Sequence, residues 1–109
     1  MADNTYILID LGGSNTRVAL SDDTALNPET IQKFSNAGYG CLEDIIKTYM
    51  QAQNLSKVTA ICVAAAGPLR DGVIKVTNLD WVICPDRLRA LTQADNVGLL
   101  NDLQAQGYA

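Results

Sequence analysis

The chain predicts a mixed α/β fold that opens on antiparallel strands and continues through helix-to-strand crossovers. Three observations carry that prediction. Two apolar runs flank a Gly-Gly turn between Tyr6 and Ser21, apolar residues recur at helical spacing from Leu42, and two further apolar runs, 58–66 and 97–100, follow later.

Tyr6 to Asp10 reads as a buried strand, Gly12 to Thr16 as a tight turn, and Arg17 to Ser21 as a second strand returning beside the first. Ser21 to Pro28 is a polar turn, and Thr30 to Asn36 gives a third strand of mixed character. Gly38 and Gly40 break the chain before a helix. In that helix Leu42, Ile45, Ile46, Tyr49 and Met50 fall on one face, and Glu43 and Asp44 suit the positive end of its dipole. Val58 to Ala66 is nearly continuous in apolar residues, as expected of a central strand buried on both faces. Asp71-Gly72 opens a short strand, Val73 to Thr77, and Asn78 to Trp81 leads through Pro85 into a second helix, Asp86 to Thr92. Val97 to Leu100 is a further buried strand that delivers Asn101 and Asp102 at its end, and Gln104 to Tyr108 starts another helix.

Bulk composition narrows the function. At 109 residues there is room for one modest core, hence one domain or part of one, and 48% apolar against 18% charged residues is a globular balance. A net charge of -4 with scattered basic residues argues against a nucleic-acid partner, because phosphate neutralisation needs clustered Lys and Arg. Histidine is absent, which removes Ser-His-Asp and Cys-His catalysis and any His-based metal site within this sequence. Proton transfer therefore falls first to a carboxylate. Cys41, Cys62 and Cys84 lie far apart without C-x-x-C spacing, so no zinc knuckle or disulfide framework is expected and a reducing cytoplasm fits best. Met1 to Asn4 has no basic leader, and the longest apolar stretch, around Val58 to Leu69, is too short to span a bilayer, so no membrane partner is expected.

The opening turn has the chemistry of a phosphate site. Gly12 and Gly13 can adopt positive φ and bring backbone N–H groups close to an anion, while Ser14 and Thr16 add hydroxyl donors. Asp10, at the strand end, is placed to hold a hydrated Mg²⁺ against phosphate oxygens. An ordinary hairpin, with the glycines only making the turn and Asp10 solvated at its rim, accounts for the same residues. Asp102 likewise reads either as a general base or as a helix N-cap. Gly67-Pro68 is a turn where backbone can approach a ligand, Trp81 reads as a core anchor, and Arg17 as an ion-pair partner or a motif residue.

Asp10 to Arg17, D-L-G-G-S-N-T-R, resembles the first phosphate motif, D-x-G-G-[TS]-x-x-R, of the sugar kinases related to hexokinase, actin and the Hsp70 chaperones. Ala64 to Ile83 resembles the A-x-A-G-P...G...T-N-x-x-W stretch of bacterial ATP-dependent glucokinases. Asn101 to Ala109 is similar to their N-D-F-x-A-x-x segment, with Leu103 in place of the usual Phe. These three segments stand in the family's order.

The resemblance implies a ribonuclease H-like lobe of the actin-like ATPase superfamily, which phosphorylates glucose at its 6-hydroxyl with ATP and Mg²⁺ in the cytoplasm. Asp102 would be the catalytic base and Asn101 a hydrogen-bond partner of sugar hydroxyls, with Gly67 and Asn78 also on the sugar side. Asp10, Gly12, Gly13, Ser14, Asn15 and Thr16 would hold the nucleotide phosphates, with Asp10 reaching the metal through water. Family members are far longer, so the resemblance also implies a single partial domain, the N-terminal lobe without its C-terminal partner, inactive by itself. Such a lobe is expected to self-associate, as a homodimer, through an exposed apolar face. Two other readings stay open. A ribonuclease H-type nuclease would gather Asp10, Glu43 or Asp44, and Asp102 around two metals, although the acidic charge and the Gly-Gly turn count against it. A non-catalytic sugar-sensing relative would carry a helix-turn-helix segment before the hairpin, which this sequence lacks.

Overall fold

A period of two sorts the first strand into a core side, Ile7, Ile9 and Leu11, and an opposite side, Leu8 and Asp10. The same alternation builds the sheet around it. The computed structural model describes residues 4–22, 25–65, 67, 69–76 and 81–101. Its elements run β1 (Tyr6–Leu11), β2 (Asn15–Ser21), β3 (Leu26–Ser35), a single 3₁₀ turn (Asn36–Gly38) and α1 (Leu42–Ala52). They continue through β4 (Ala60–Ala65), β5 (Leu69–Arg70), β6 (Val73–Lys75), β7 (Val82–Ile83), α2 (Pro85–Thr92) and β8 (Asn96–Asn101).

The main sheet has the order β3-β2-β1-β4-β8. β1, β2 and β3 pair antiparallel, whereas β4 joins β1 and β8 joins β4 in parallel. Parallel neighbours require crossovers, and α1 and α2 lie on those two connections. The expected antiparallel start with helix-to-strand crossovers is therefore what forms.

The helices cover one face of this sheet. Leu42, Ile45, Ile46, Tyr49 and Met50 of α1 and Leu88 of α2 join Ile7, Ile9, Leu11, Val18, Ile61 and Val63 in one core. Each fully buried Leu or Ile contributes about 1.5–3 kcal/mol of burial free energy, which the short α1 needs because isolated helices of that length are marginal in water. Trp81 is buried in the same core, as an anchor.

Several local expectations are revised. β1, not β4, is the middle strand, and β4 alternates between half-buried and buried positions. Among the described residues, the other side of the sheet is uncovered. Leu8, Leu26, Ile31 and Leu100 are 38–48% exposed there, because no helix of the described residues packs over them. β3 begins at Leu26, inside the stretch read as a turn, and Asp22 and Ala25 bracket the actual reversal with two hydrogen bonds. Pro28 is tolerated since β3 is an edge strand whose pairing with β2 is interrupted between Val18 and Leu20. Thr30 repairs the gap by accepting the Leu20 N–H at 2.9 Å. Asp71-Gly72 closes a β5–β6 hairpin with positive φ at both residues, and β7 completes a second, three-stranded sheet that periodicity could not separate from the path to α2.

Candidate functional site

Three strand ends share one edge of the sheet. Leu11 of β1 pairs in register with Ala65 of β4, which pairs with Asn101 of β8, so the row Leu11–Ala65–Asn101 is the last across the parallel strands. At a strand spacing near 4.8 Å, the Asn101 backbone stands about 10 Å from Leu11. The C-terminal ends of β1, β4 and β8 therefore lie along one edge, the edge at which open parallel sheets bind ligands.

Beyond Leu11 the hairpin is closed by its own carbonyls. Gly12 N–H donates to the Asn15 carbonyl at 2.9 Å, and the Asn36 N–H donates to the Ser14 carbonyl at 2.9 Å. The Asn36 side chain donates through Nδ2 to the Gly12 carbonyl at 2.8 Å and accepts from Thr16 Oγ1 at 2.7 Å. With the carbonyls of Gly12, Ser14 and Asn15 engaged, the N–H groups of Gly13 and Ser14 have no backbone partner among the described residues. Both residues are exposed. Successive turn N–H groups without backbone partners are donors that an anion can use. They border a cleft of about 250 Å³ lined by Asp10, Gly12, Gly13, Ser14, Asn15 and Arg17.

The structure alters two details of the expected turn. Among the described glycines only Gly67 and Gly72 have positive φ, so the hairpin closes without a left-handed residue at Gly12 or Gly13. Glycine at position 12 answers a steric demand instead, since a Cβ there would stand 3.0 Å from the Asn15 carbonyl oxygen. Thr16 also takes a different part. Its side chain is fully buried and its hydroxyl proton is committed to Asn36, so it braces the hairpin from below and does not face the cleft. Ser14 and Asn15 are exposed at the rim.

Asp10 and Arg17 are directly opposed residues of β1 and β2 and line the cleft together. The same two side chains close one end of an apolar groove of about 300 Å³ on the bare sheet face, lined also by Leu8, Leu26, Ile31 and Cys62. Burial pushes the Cys62 thiol upward, away from nucleophilic thiolate character. Gly67 is buried just past β4, where an added Cβ would collide with the Lys75 carbonyl. Close packing between backbones is thus sufficient reason for that glycine. Asn101 is placed by its backbone at the end of β8, while Asn78 and Asp102 lie outside the described residues.

For the nuclease reading, Glu43 sits 4.0 Å from Arg87, and no three potential ligands gather into a metal site among the described residues. No helix of the described residues is long and apolar enough to cross a membrane. The residue that sequence reasoning missed is Asn36, seen only as a strand end. Its sole signal was an amide side chain in a Ser-Asn-Ala-Gly stretch.

A family model described as Glucokinase matches residues 7–109. The glucokinase of Caulobacter sp. (strain K31) is 37% identical over 102 residues, which cover 92% of this chain and 31% of that protein. The chain thus spans about a third of the length of the curated relatives it matches. The crystal structure of a glucokinase from an Antarctic psychrotroph superposes with a TM-score of 0.79 at 26% identity, over 96% of this chain and 34% of its own. A glucokinase from Balamuthia mandrillaris, solved in complex with glucose, superposes with a TM-score of 0.69 at 20% identity, covering 98% of this chain and 32% of its own, and bears on the fold alone. The mixed sheet is that of the actin-like ATPase fold, as the sequence resemblance implied.

Proposed function

Because the chain belongs to the glucokinase family, we propose that it carries the phosphate hairpin and catalytic base of an ATP-dependent kinase acting on the 6-hydroxyl of glucose. One observation carries this reading: the free N–H groups of Gly13 and Ser14 beside the exposed carboxylate of Asp10, on the edge where β8 ends. Backbone donors neutralise phosphate without a basic patch, which suits a chain of net charge -4.

A single exposed carboxylate next to an anion site fits Mg²⁺, a cation that keeps most of its waters and is usually shared between one or two carboxylates and substrate phosphates. Asp10 would hold it, through water, and the ion would supply charge neutralisation at the transferred phosphoryl group. Gly12, Gly13, Ser14 and Asn15 position the phosphates. Asp102 accepts the proton of the sugar 6-hydroxyl as that oxygen bonds to the γ-phosphorus and the bond to the departing ADP oxygen breaks. Asn101, Asn78 and Gly67 belong to the sugar side. The chain acts in the cytoplasm as the N-terminal lobe of a longer kinase.

Alone it turns over little sugar, since one wall of a clamp cannot hold both substrates in line and about 1 Å of misplacement costs about a hundredfold. Its bare apolar sheet face makes it self-associate, as a homodimer. A coupled assay for glucose 6-phosphate tests the reading on this chain and on a form completed with the C-terminal part of a family member. The completed form is expected to be active and to lose roughly 100- to 10,000-fold on Asp102→Ala. Strong turnover by the 109 residues alone, or an indifferent Asp102→Ala variant, would overturn it.

A further inference from the structure

We propose that Asn36 is a positioning residue for phosphate binding. Its buried amide, locked to Thr16, sets the Gly12–Thr16 hairpin in the shape that leaves the Gly13 and Ser14 N–H groups free. The inference rests on the phosphate reading of that hairpin and assigns a role to a residue outside the motif.

Asn36 is 4% exposed and sits 20 residues from Thr16, across the β2–β3 pair, yet it makes three hydrogen bonds to the hairpin. Each has a separate effect. The backbone N–H takes the Ser14 carbonyl at 2.9 Å, and Nδ2 takes the Gly12 carbonyl at 2.8 Å. Because the Gly12 carbonyl can only accept, it fixes which end of the amide is Nδ2, and Oδ1 is left to accept the Thr16 hydroxyl at 2.7 Å. A carbonyl oxygen left loose beside the cleft would repel an anion and compete for the neighbouring N–H groups. Engaging the Gly12 and Ser14 carbonyls therefore removes two acceptors that would otherwise compete for the neighbouring N–H groups. Thr16 is fully buried and has no access to a ligand, so its hydroxyl acts through Asn36. Every buried side-chain polar atom among the described residues is satisfied, so truncating either partner strands the other.

The test measures pyrophosphate affinity by calorimetry on the 109-residue chain, with thermal unfolding and ¹H–¹⁵N spectra of the same samples. Asn36→Ala and Thr16→Val are expected to bind about tenfold more weakly than the parent at temperatures where both are folded, with the Gly13 and Ser14 amide signals broadened. Thr16→Ser, which restores the hydroxyl, is expected to recover most of the affinity. Variants that unfold at lower temperature yet bind pyrophosphate within about twofold of the parent would show a purely structural role and overturn the proposal. A parent chain that binds no pyrophosphate would retire the phosphate reading first, and this inference with it.

Discussion

Asp10 and Arg17 stand directly opposite one another across the β1–β2 ladder, and both line the cleft beneath the glycine hairpin. No ion pair within 4.0 Å joins them among the described residues. Opposite charges held on neighbouring strands but apart leave each free to serve a ligand: the carboxylate a hydrated cation, the guanidinium a phosphate oxygen. On the phosphate reading, Arg17 is expected to meet a phosphate oxygen, a role that its motif position alone did not assign. Arg17→Ala is expected to weaken pyrophosphate binding roughly three- to tenfold and to flatten its dependence on salt, with Arg17→Lys in between. Calorimetry at two ionic strengths checks this. Unchanged affinity would return Arg17 to a surface role.

Tyr49 links α1 to the edge strand by donating its hydroxyl to the Thr30 carbonyl at 2.7 Å, inside the core beside Phe34. Burial raises its pKa above the ordinary 10.0. The unfolded chain therefore loses that proton first as pH rises, so the stabilisation is intact below pH 10.0 and is lost progressively above it. Tyr49→Phe is expected to cost about 1 kcal/mol at neutral pH through the lost hydrogen bond. Its deficit should shrink as the solution becomes alkaline. Denaturant midpoints at pH 7 and pH 11 make the comparison, and a deficit that grows with pH would contradict it.

The bare sheet face predicts association. Leu8, Leu26, Ile31 and Leu100 expose apolar surface on one side, and static light scattering should show a dimer at high protein concentration. Ile31→Lys, on the edge strand, should restore a monomer with little loss of stability, because Ile31 is 48% exposed. A clean monomer from the unaltered chain would contradict this prediction.

Gly67 is held against the Lys75 carbonyl, with φ at 157°. Gly67→Ala must push the β6 backbone aside, at an expected cost of about 1–3 kcal/mol. Thermal unfolding reads the cost directly. An unchanged midpoint would mean that the connection after β4 yields freely.

What the sequence made legible follows from how local each signal is. β1, β2, α1 and α2 announce themselves through alternation or helical spacing, and Pro85 and the acidic first turn of α1 mark where helices start. β5 and β7 are two residues long, too short for any period to register. β3 was blurred because Pro28 and the polar residues around it look like a turn until the edge position and the Thr30 repair explain them. Of the site, the motif residues Asp10 and Gly12 to Asn15 were visible as a pattern. The burial of Thr16 and the brace from Asn36 were not, since both depend on a contact between residues 20 positions apart.

The two free donors, the Gly13 and Ser14 N–H groups, are where an anion is expected to bind. Titration of the ¹⁵N-labelled chain with Mg²⁺-pyrophosphate should move the Gly13 and Ser14 amide resonances first and furthest, with the hydrogen-bonded Gly12 amide shifting less. Saturation with those two signals unmoved, or with the largest shifts elsewhere on the sheet, would contradict it.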